Sequence, residues 1–112
     1  MQAEQTEKSP QVVLILTTFG TAVAAEACGK QLVSTGLAAC AQLEGPIRSI
    51  YSWQNEVQIE EEFRLLLKTS PAQAAHCQAA LEQLHPYELP EIVLLDATAS
   101  PAYAAWVAGT PT

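Results

Sequence analysis

The sequence predicts an α+β sandwich of the ferredoxin-like type, in the order β-α-β-β-α-β with a C-terminal helix. Three observations carry that expectation. Two helix-periodic segments flank a pair of long extended ones, strand-like aliphatic runs stand near both ends, and each junction is marked by Gly, Pro, Asn, Ser or Thr. A chain of 112 residues suffices for one core and not for two, so residues 11 to 112 read as a single domain.

Residues 1 to 10 are polar apart from Ala3 and end at Pro10, a composition that buries too little surface to offset ordering entropy and predicts a disordered tail. The run Gln11 to Thr18 is short, continuous and aliphatic, which suits a strand buried on both faces. From Thr21 to Thr35, Ala25, Cys28, Leu32 and Val33 recur at helical spacing, with Thr21 as cap and Gly36 as the left-handed stop. Leu37 to Leu43 and Ile47 to Trp53 form one extended stretch, bent or bulged at Gly45-Pro46. Gln54-Asn55-Glu56 makes the turn, with Asn55 best suited to positive φ. Val57 to Thr69 then alternates. Val57, Ile59, Glu61, Phe63, Leu65 and Leu67 take one face; Gln58, Glu60, Glu62, Arg64, Leu66 and Lys68 take the other.

Ser70-Pro71-Ala72-Gln73 combines a Ser cap, a Pro at the first helical position and a Gln placed to close a capping box. The helix it starts turns Ala74, Cys77, Leu81 and Leu84 inward and stops at His85-Pro86, because a proline disfavours helix in the residue before it. Glu91 to Asp96 reads as the last strand. Ser100-Pro101 caps a short helix carrying Tyr103, Trp106 and Val107.

The lengths do not match. A strand of about 13 residues reaches roughly 43 Å, whereas a helix of about 14 rises roughly 21 Å. The hairpin from Ile50 to Ile59 therefore projects past its own helices, although Ile50, Tyr51, Trp53, Val57 and Ile59 are apolar or aromatic. Soluble monomers seldom expose such a patch, so a second subunit is expected to cover it.

Composition narrows the function. The net charge is -7, and Lys30, Arg48, Arg64 and Lys68 are the cations of the body, too few for a phosphate-tracking surface, so no nucleic-acid partner is expected. No run approaches the ~20 apolar residues of a membrane span, and the N-terminus lacks a secretory h-region. Three cysteines cannot all pair within one chain, which favours reduced thiols and a cytoplasmic protein.

Cys28 and Cys77 fall on the inward stripes and read as small core hydrophobes, and His76 as a solvated surface residue. Cys40 lies on a strand whose orientation the sequence leaves open. Its thiolate with the imidazole of His85 could make a soft-metal pair, although His85 reads more readily as a helix-terminus residue than as a ligand. Two ligands do not close a zinc site, so metal would bind weakly or between subunits. Glu60 and Glu62 are expected to face water near Arg64, and Glu61 to face inward and need a partner from a neighbouring chain. No phosphate loop, serine elbow or nucleophile with base and orienter is present, so no catalytic residues are assigned and an enzyme is not expected.

Gly36-Leu-Ala-Ala-Cys-Ala-Gln, Ile50-Tyr-Ser-Trp, Glu62-Phe-Arg-Leu-Leu-Leu-Lys-Thr and His85-Pro-Tyr-Glu-Leu-Pro-Glu, in this order and spacing, resemble the CutA divalent-cation-tolerance family over residues 11 to 108. The resemblance implies a ferredoxin-like subunit in a PII-like homotrimer whose long hairpins pack across subunit boundaries. It implies a cytoplasmic role in tolerance of copper and other divalent cations, with no obligatory cofactor. Carried over by position, Cys40 and His85 are the metal candidates. Tyr51, Trp53, Lys68 and Tyr87 match positions near the intersubunit cleft, while Ile50, Val57, Ile59 and Glu61 belong to the expected trimer interface. Leu16 stands where copper-binding members can carry a cysteine, Leu84 where they can carry a second histidine, and Asn55 where a turn glycine is usual. The competing readings are a PII-like sensor taking an unknown small ligand in the same cleft, and a trimeric scaffold for another protein.

Overall fold

The computed structural model describes residues 11–109; the predicted tail lies outside the described residues. In chain order the elements are β1 (Gln11–Phe19), α1 (Ala22–Ser34), β2 (Cys40–Trp53), β3 (Glu56–Thr69), α2 (Ala74–Leu84), β4 (Val93–Thr98) and α3 (Pro101–Val107). The strands form one antiparallel sheet in the order β2-β3-β1-β4, which is the ferredoxin-like arrangement that the sequence predicts.

The sheet has one covered face. Val13, Ile15 and Phe19 of β1 pair in register with Thr69, Leu67 and Phe63 of β3, and this row meets Ala25, Cys28 and Leu32 of α1 and Ala74, Cys77 and Leu81 of α2 in one core. Cys28 and Cys77 are buried as expected; burial raises both thiols, that of Cys77 to about 11. On the opposite face Leu14, Leu16 and Leu66 are half-buried, and Val93 and Leu95 are exposed. Val12 and Thr18, on that same face, are buried, so the expectation that β1 is buried on both faces holds fully for one face and only in part for the other within a single subunit. α3 packs against β1 with Val107 buried, and covers only part of the rest.

Local chemistry explains most boundaries. Thr21 Oγ1 accepts from Ala24 N–H at 3.1 Å to start α1. Gly36 ends it at φ +78, and the Leu37 and Ala38 amides return to Leu32 O at 3.0 Å, so these two residues serve the helix end; the Ala39 amide already donates to Lys68 O at 2.8 Å, and β2 begins at Cys40, later than the expected Leu37. Gly45-Pro46 interrupts β2 as expected, with a bulge between Glu44 and Ile47 opposite β3. At the hairpin tip both Gln54 (φ 52) and Asn55 (φ 66) are left-handed, the two-residue turn whose twist matches the flanking strands.

Two further boundaries differ from the sequence reading. Ser70 Oγ accepts from Gln73 N–H at 3.2 Å, but the Gln73 side chain meets His76 Nδ1 at 3.3 Å instead of closing a capping box, and regular α2 starts at Ala74. β4 begins two residues later than expected, at Val93 opposite Leu16, and Ile92 just before it packs against the core.

Candidate functional site

β1 ends at Phe19, paired with Phe63, whereas β3 runs on from Phe63 back to Glu56 with only β2 beside it. Those seven residues from Glu56 to Glu62, at about 3.3 Å each, make a free two-stranded ribbon some 23 Å long. Ile50, Val57 and Ile59 are more than 60 % exposed on it, so the projecting apolar hairpin expected from the lengths is present.

Register sorts the ribbon's side chains into two sets. Ile50 faces Ile59, Ser52 faces Val57 and Arg48 faces Glu61; this row continues the face that carries Phe63, Leu65 and Leu67. Tyr51 faces Gln58, Ser49 faces Glu60 and Trp53 faces Glu56, in the row that continues through Glu62, Arg64, Leu66 and Lys68. The interface candidates Ile50, Val57, Ile59 and Glu61 therefore share one face, and the cleft candidates Tyr51, Trp53 and Lys68 share the other.

The acidic triplet corrects the sequence reading. The alternation is as predicted, yet Glu61 is exposed, because its row has outrun the helices, while Glu62 is buried with 8 % exposure. The cover for Glu62 comes from the segment after α2: the Tyr87 hydroxyl donates to Glu62 Oε2 at 2.8 Å. Burial and the adjoining Glu62 carboxylate push the Tyr87 phenol up to about 12. Glu60 beside Tyr51 raises that phenol as well.

His85 anchors the same segment. It caps α2 and its ring stacks on Phe19, with centroids 4.3 Å apart. Nε2–H donates to the Thr18 carbonyl at 2.9 Å, and Nδ1 accepts the Tyr87 N–H at 3.1 Å. Both nitrogens of this neutral tautomer are committed inside the subunit, so a metal can take Nδ1 only by displacing the Tyr87 amide. Burial lowers the imidazole pKa, against smaller raising effects from the Thr18 carbonyl and Glu62.

Cys40 is elsewhere. It opens edge strand β2 opposite Lys68, half-buried, and borders an open groove of about 970 Å³ between α1 and β2 that is also lined by Lys30, Val33 and Leu43. Lys68 pairs with Leu14 while His85 binds Thr18, four residues along β1, and the imidazole sits on the helix-covered face, opposite Cys40. One subunit therefore does not bring Cys40 and His85 together. Among the described residues no three His, Cys, Asp or Glu side chains gather into a ready metal cage. Lys68 is also remote from the aromatic pair: ten residues of β3 separate it from Gln58, the partner of Tyr51, and its Nζ lies 5.6 Å from the Tyr103 ring centroid. Sequence reasoning missed Glu62 as a site residue, and the signal for it was its place one residue beyond the last β1–β3 pair.

Among the described residues no helix is long and apolar enough to cross a membrane. A family model described as CutA1 divalent ion tolerance protein matches residues 13–110. A divalent-cation tolerance protein CutA from Thermus thermophilus is 38% identical over 82 residues, 73% of this chain and 80% of that protein. Its counterpart from Citrobacter koseri is 33% identical over 102 residues, 88% of this chain and 86% of that one. The solved CutA of Synechococcus elongatus superposes with a TM-score of 0.83 at 37% identity, covering 90% of each chain. A Nostoc structure described as a PII-like protein CutA in apo form gives 0.81 at 33% identity, over 88% of this chain and 95% of that one. The motifs around Cys40, Tyr51, Glu62 and His85 thus sit in a fold, and over a length, shared with these proteins, and the chain belongs to the CutA1 divalent ion tolerance family.

Proposed function

We propose that the chain works as a cytoplasmic homotrimer in tolerance of divalent cations, binding a soft cation such as copper weakly at the boundary between subunits. The assembly carries this reading, and the observation behind it is the apolar ribbon: Ile50, Val57 and Ile59 stand 67%, 73% and 63% exposed, which burial against another copy would relieve. Cys40 is the metal ligand of this reading, since it is the one cysteine of the three that is not buried. His85 of a neighbouring copy joins it only by giving up the Tyr87 amide, which keeps the affinity low. The unpaired thiols favour a reducing compartment. The reading assigns no catalytic step.

Native mass spectrometry of untagged protein with one equivalent of copper per chain tests both parts. A trimer carrying copper, with uptake lost in Cys40→Ser, is the expected result. A monomer would overturn the assembly, and a trimer whose copper survives Cys40→Ser would overturn the ligand. A trimer that takes up no copper would move the function to the small-ligand or scaffold readings.

A further inference from the structure

Glu62 is a buried carboxylate whose one recorded bond is to a neutral phenol. Its Oε2 accepts from Tyr87, and among the described residues no Lys, Arg or His nitrogen lies within 4.0 Å of it. A carboxylate taken out of water in this way calls for a cation. The described residues hold few. Lys30 is bound to Glu26 at 3.2 Å, Arg64 to Glu44 at 3.0 Å, and Arg48 stands opposite Glu61 on the other face of the ribbon. Lys68 is left, with Cys40 and Leu14 beside it in register and the Tyr103 ring under its ammonium, and no carboxylate within 4.0 Å among the described residues.

Glu62 and Lys68 lie on the same open face of the sheet, six residues apart along β3, hence about 20 Å. They cannot meet within one copy. Between them the face carries Leu66 and, on the neighbouring strands, Leu14, Leu16, Val93 and Leu95, an apolar row that the subunit leaves half-buried or exposed. A second copy laid on this row would bring into one contact a cation and an anion of each chain that have no ion-pair partner among the described residues.

We propose that Lys68 of one copy pairs with Glu62 of the next, completing a Glu62–Tyr87–Lys68 site that exists only in the assembly. The inference deepens the trimer reading above and rests on it. Since the pair joins two different patches, the contact is heterologous, and its repetition closes a ring with one such site at every boundary. With each copy at -7, opposite charges at the boundary also offset repulsion between like-charged subunits.

Charge exchange tests it, read by native mass spectrometry and thermal melting of the full chain. Glu62→Lys and Lys68→Glu should each shift the protein from ring to monomer and lower the melting temperature, and the double exchange should recover most of both losses. A double variant no better than the worse single variant would overturn the pairing. If the charge reversals fail to fold by circular dichroism, Glu62→Gln, Lys68→Met and their combination replace them: non-additive losses support the pairing, and additive losses overturn it. Coupling of Glu62→Gln to Lys8→Met instead, Lys8 being the chain's remaining cation and lying outside the described residues, would assign the cation to Lys8 and likewise overturn it. A wild-type monomer would overturn the trimer reading itself, whereas a wild-type trimer without Glu62–Lys68 coupling would overturn only this site.

Discussion

His85 Nε2–H donates to the carbonyl of Thr18 at 2.9 Å, tying the end of α2 to the end of strand β1 across 67 residues of chain. The neutral ring is the form that fits, because Nδ1 must accept the Tyr87 amide. Burial lowers the folded-state pKa below the usual value of about 6.5. Between the two values the unfolded chain binds more protons, so this contribution is complete above about pH 6.5 and is lost as pH falls through the folded pKa. Melting temperatures from pH 7.5 down to 5 should drop more steeply for the wild type than for His85→Gln. Parallel curves would show that the imidazole is not held neutral by this corner.

The three thiols should react in a fixed order. Cys28 and Cys77 lie in the core and burial raises their pKa values, so the thiolate that attacks an alkylating reagent is scarce and enclosed. Cys40 is half-buried on an edge strand. Brief iodoacetamide treatment of the native protein, followed by peptide mass spectrometry, should find label on Cys40 alone, with Cys28 and Cys77 labelled only in denaturant. Label on Cys77 before Cys40 would contradict this packing.

Gly45 is irreplaceable for two separate reasons. Its φ of +148 is unfavourable for any residue with a Cβ, and a Cβ there would stand 2.7 Å from Phe63 Cδ2 and 3.1 Å from Glu62 O. Gly45→Ala should cost about 1–3 kcal/mol, read as a shift in the urea midpoint at unchanged m-value. An unchanged midpoint would mean that the bulge relaxes freely.

Much of this architecture was legible in the chain because it rests on local rules. The alternation from Val57 to Lys68, the Thr21 and Ser100 caps and the Gly36 stop each depend on residues within a turn or a pleat, and the observed elements follow them. What was not legible depends on distant partners. Glu62 reads as solvated until Tyr87, 25 residues later, is laid over it, and Glu61 reads as inward until the helices are seen to stop short. His85 reads as a helix-terminus residue, which it is, but that Thr18 and the Tyr87 amide claim both its nitrogens shows only in the fold. Cys40 and His85 are likewise compatible as a pair in sequence and are separated by the two faces of the sheet. The half-buried row Leu14, Leu16 and Leu66 was visible only as a strand too aliphatic for a half-exposed sheet, because which face the helices leave open depends on how distant elements pack.

The Tyr87–Glu62 contact should be worth more than an ordinary hydrogen bond. It is charge-assisted, 2.8 Å long, and made to a carboxylate with 8 % exposure. Tyr87→Phe keeps the ring beside His85, at a centroid distance of 4.9 Å in the wild type, and removes only the donor, leaving a buried charge poorly solvated. Glu62→Gln removes the charge and leaves an amide oxygen that can still accept. Tyr87→Phe should therefore cost about 1.5–3 kcal/mol in the wild-type background and clearly less with Gln at position 62, a coupling that a double-mutant cycle in urea measures directly. The cycle also separates this bond from the charge pairing proposed between copies. The phenol acts within one chain, so its coupling to Glu62 should persist when the protein is diluted until it dissociates, whereas any coupling of Glu62 to Lys68 should vanish with the assembly. Equal losses for Tyr87→Phe in both backgrounds would mean that the hydroxyl stabilises the 85–87 corner through something other than Glu62.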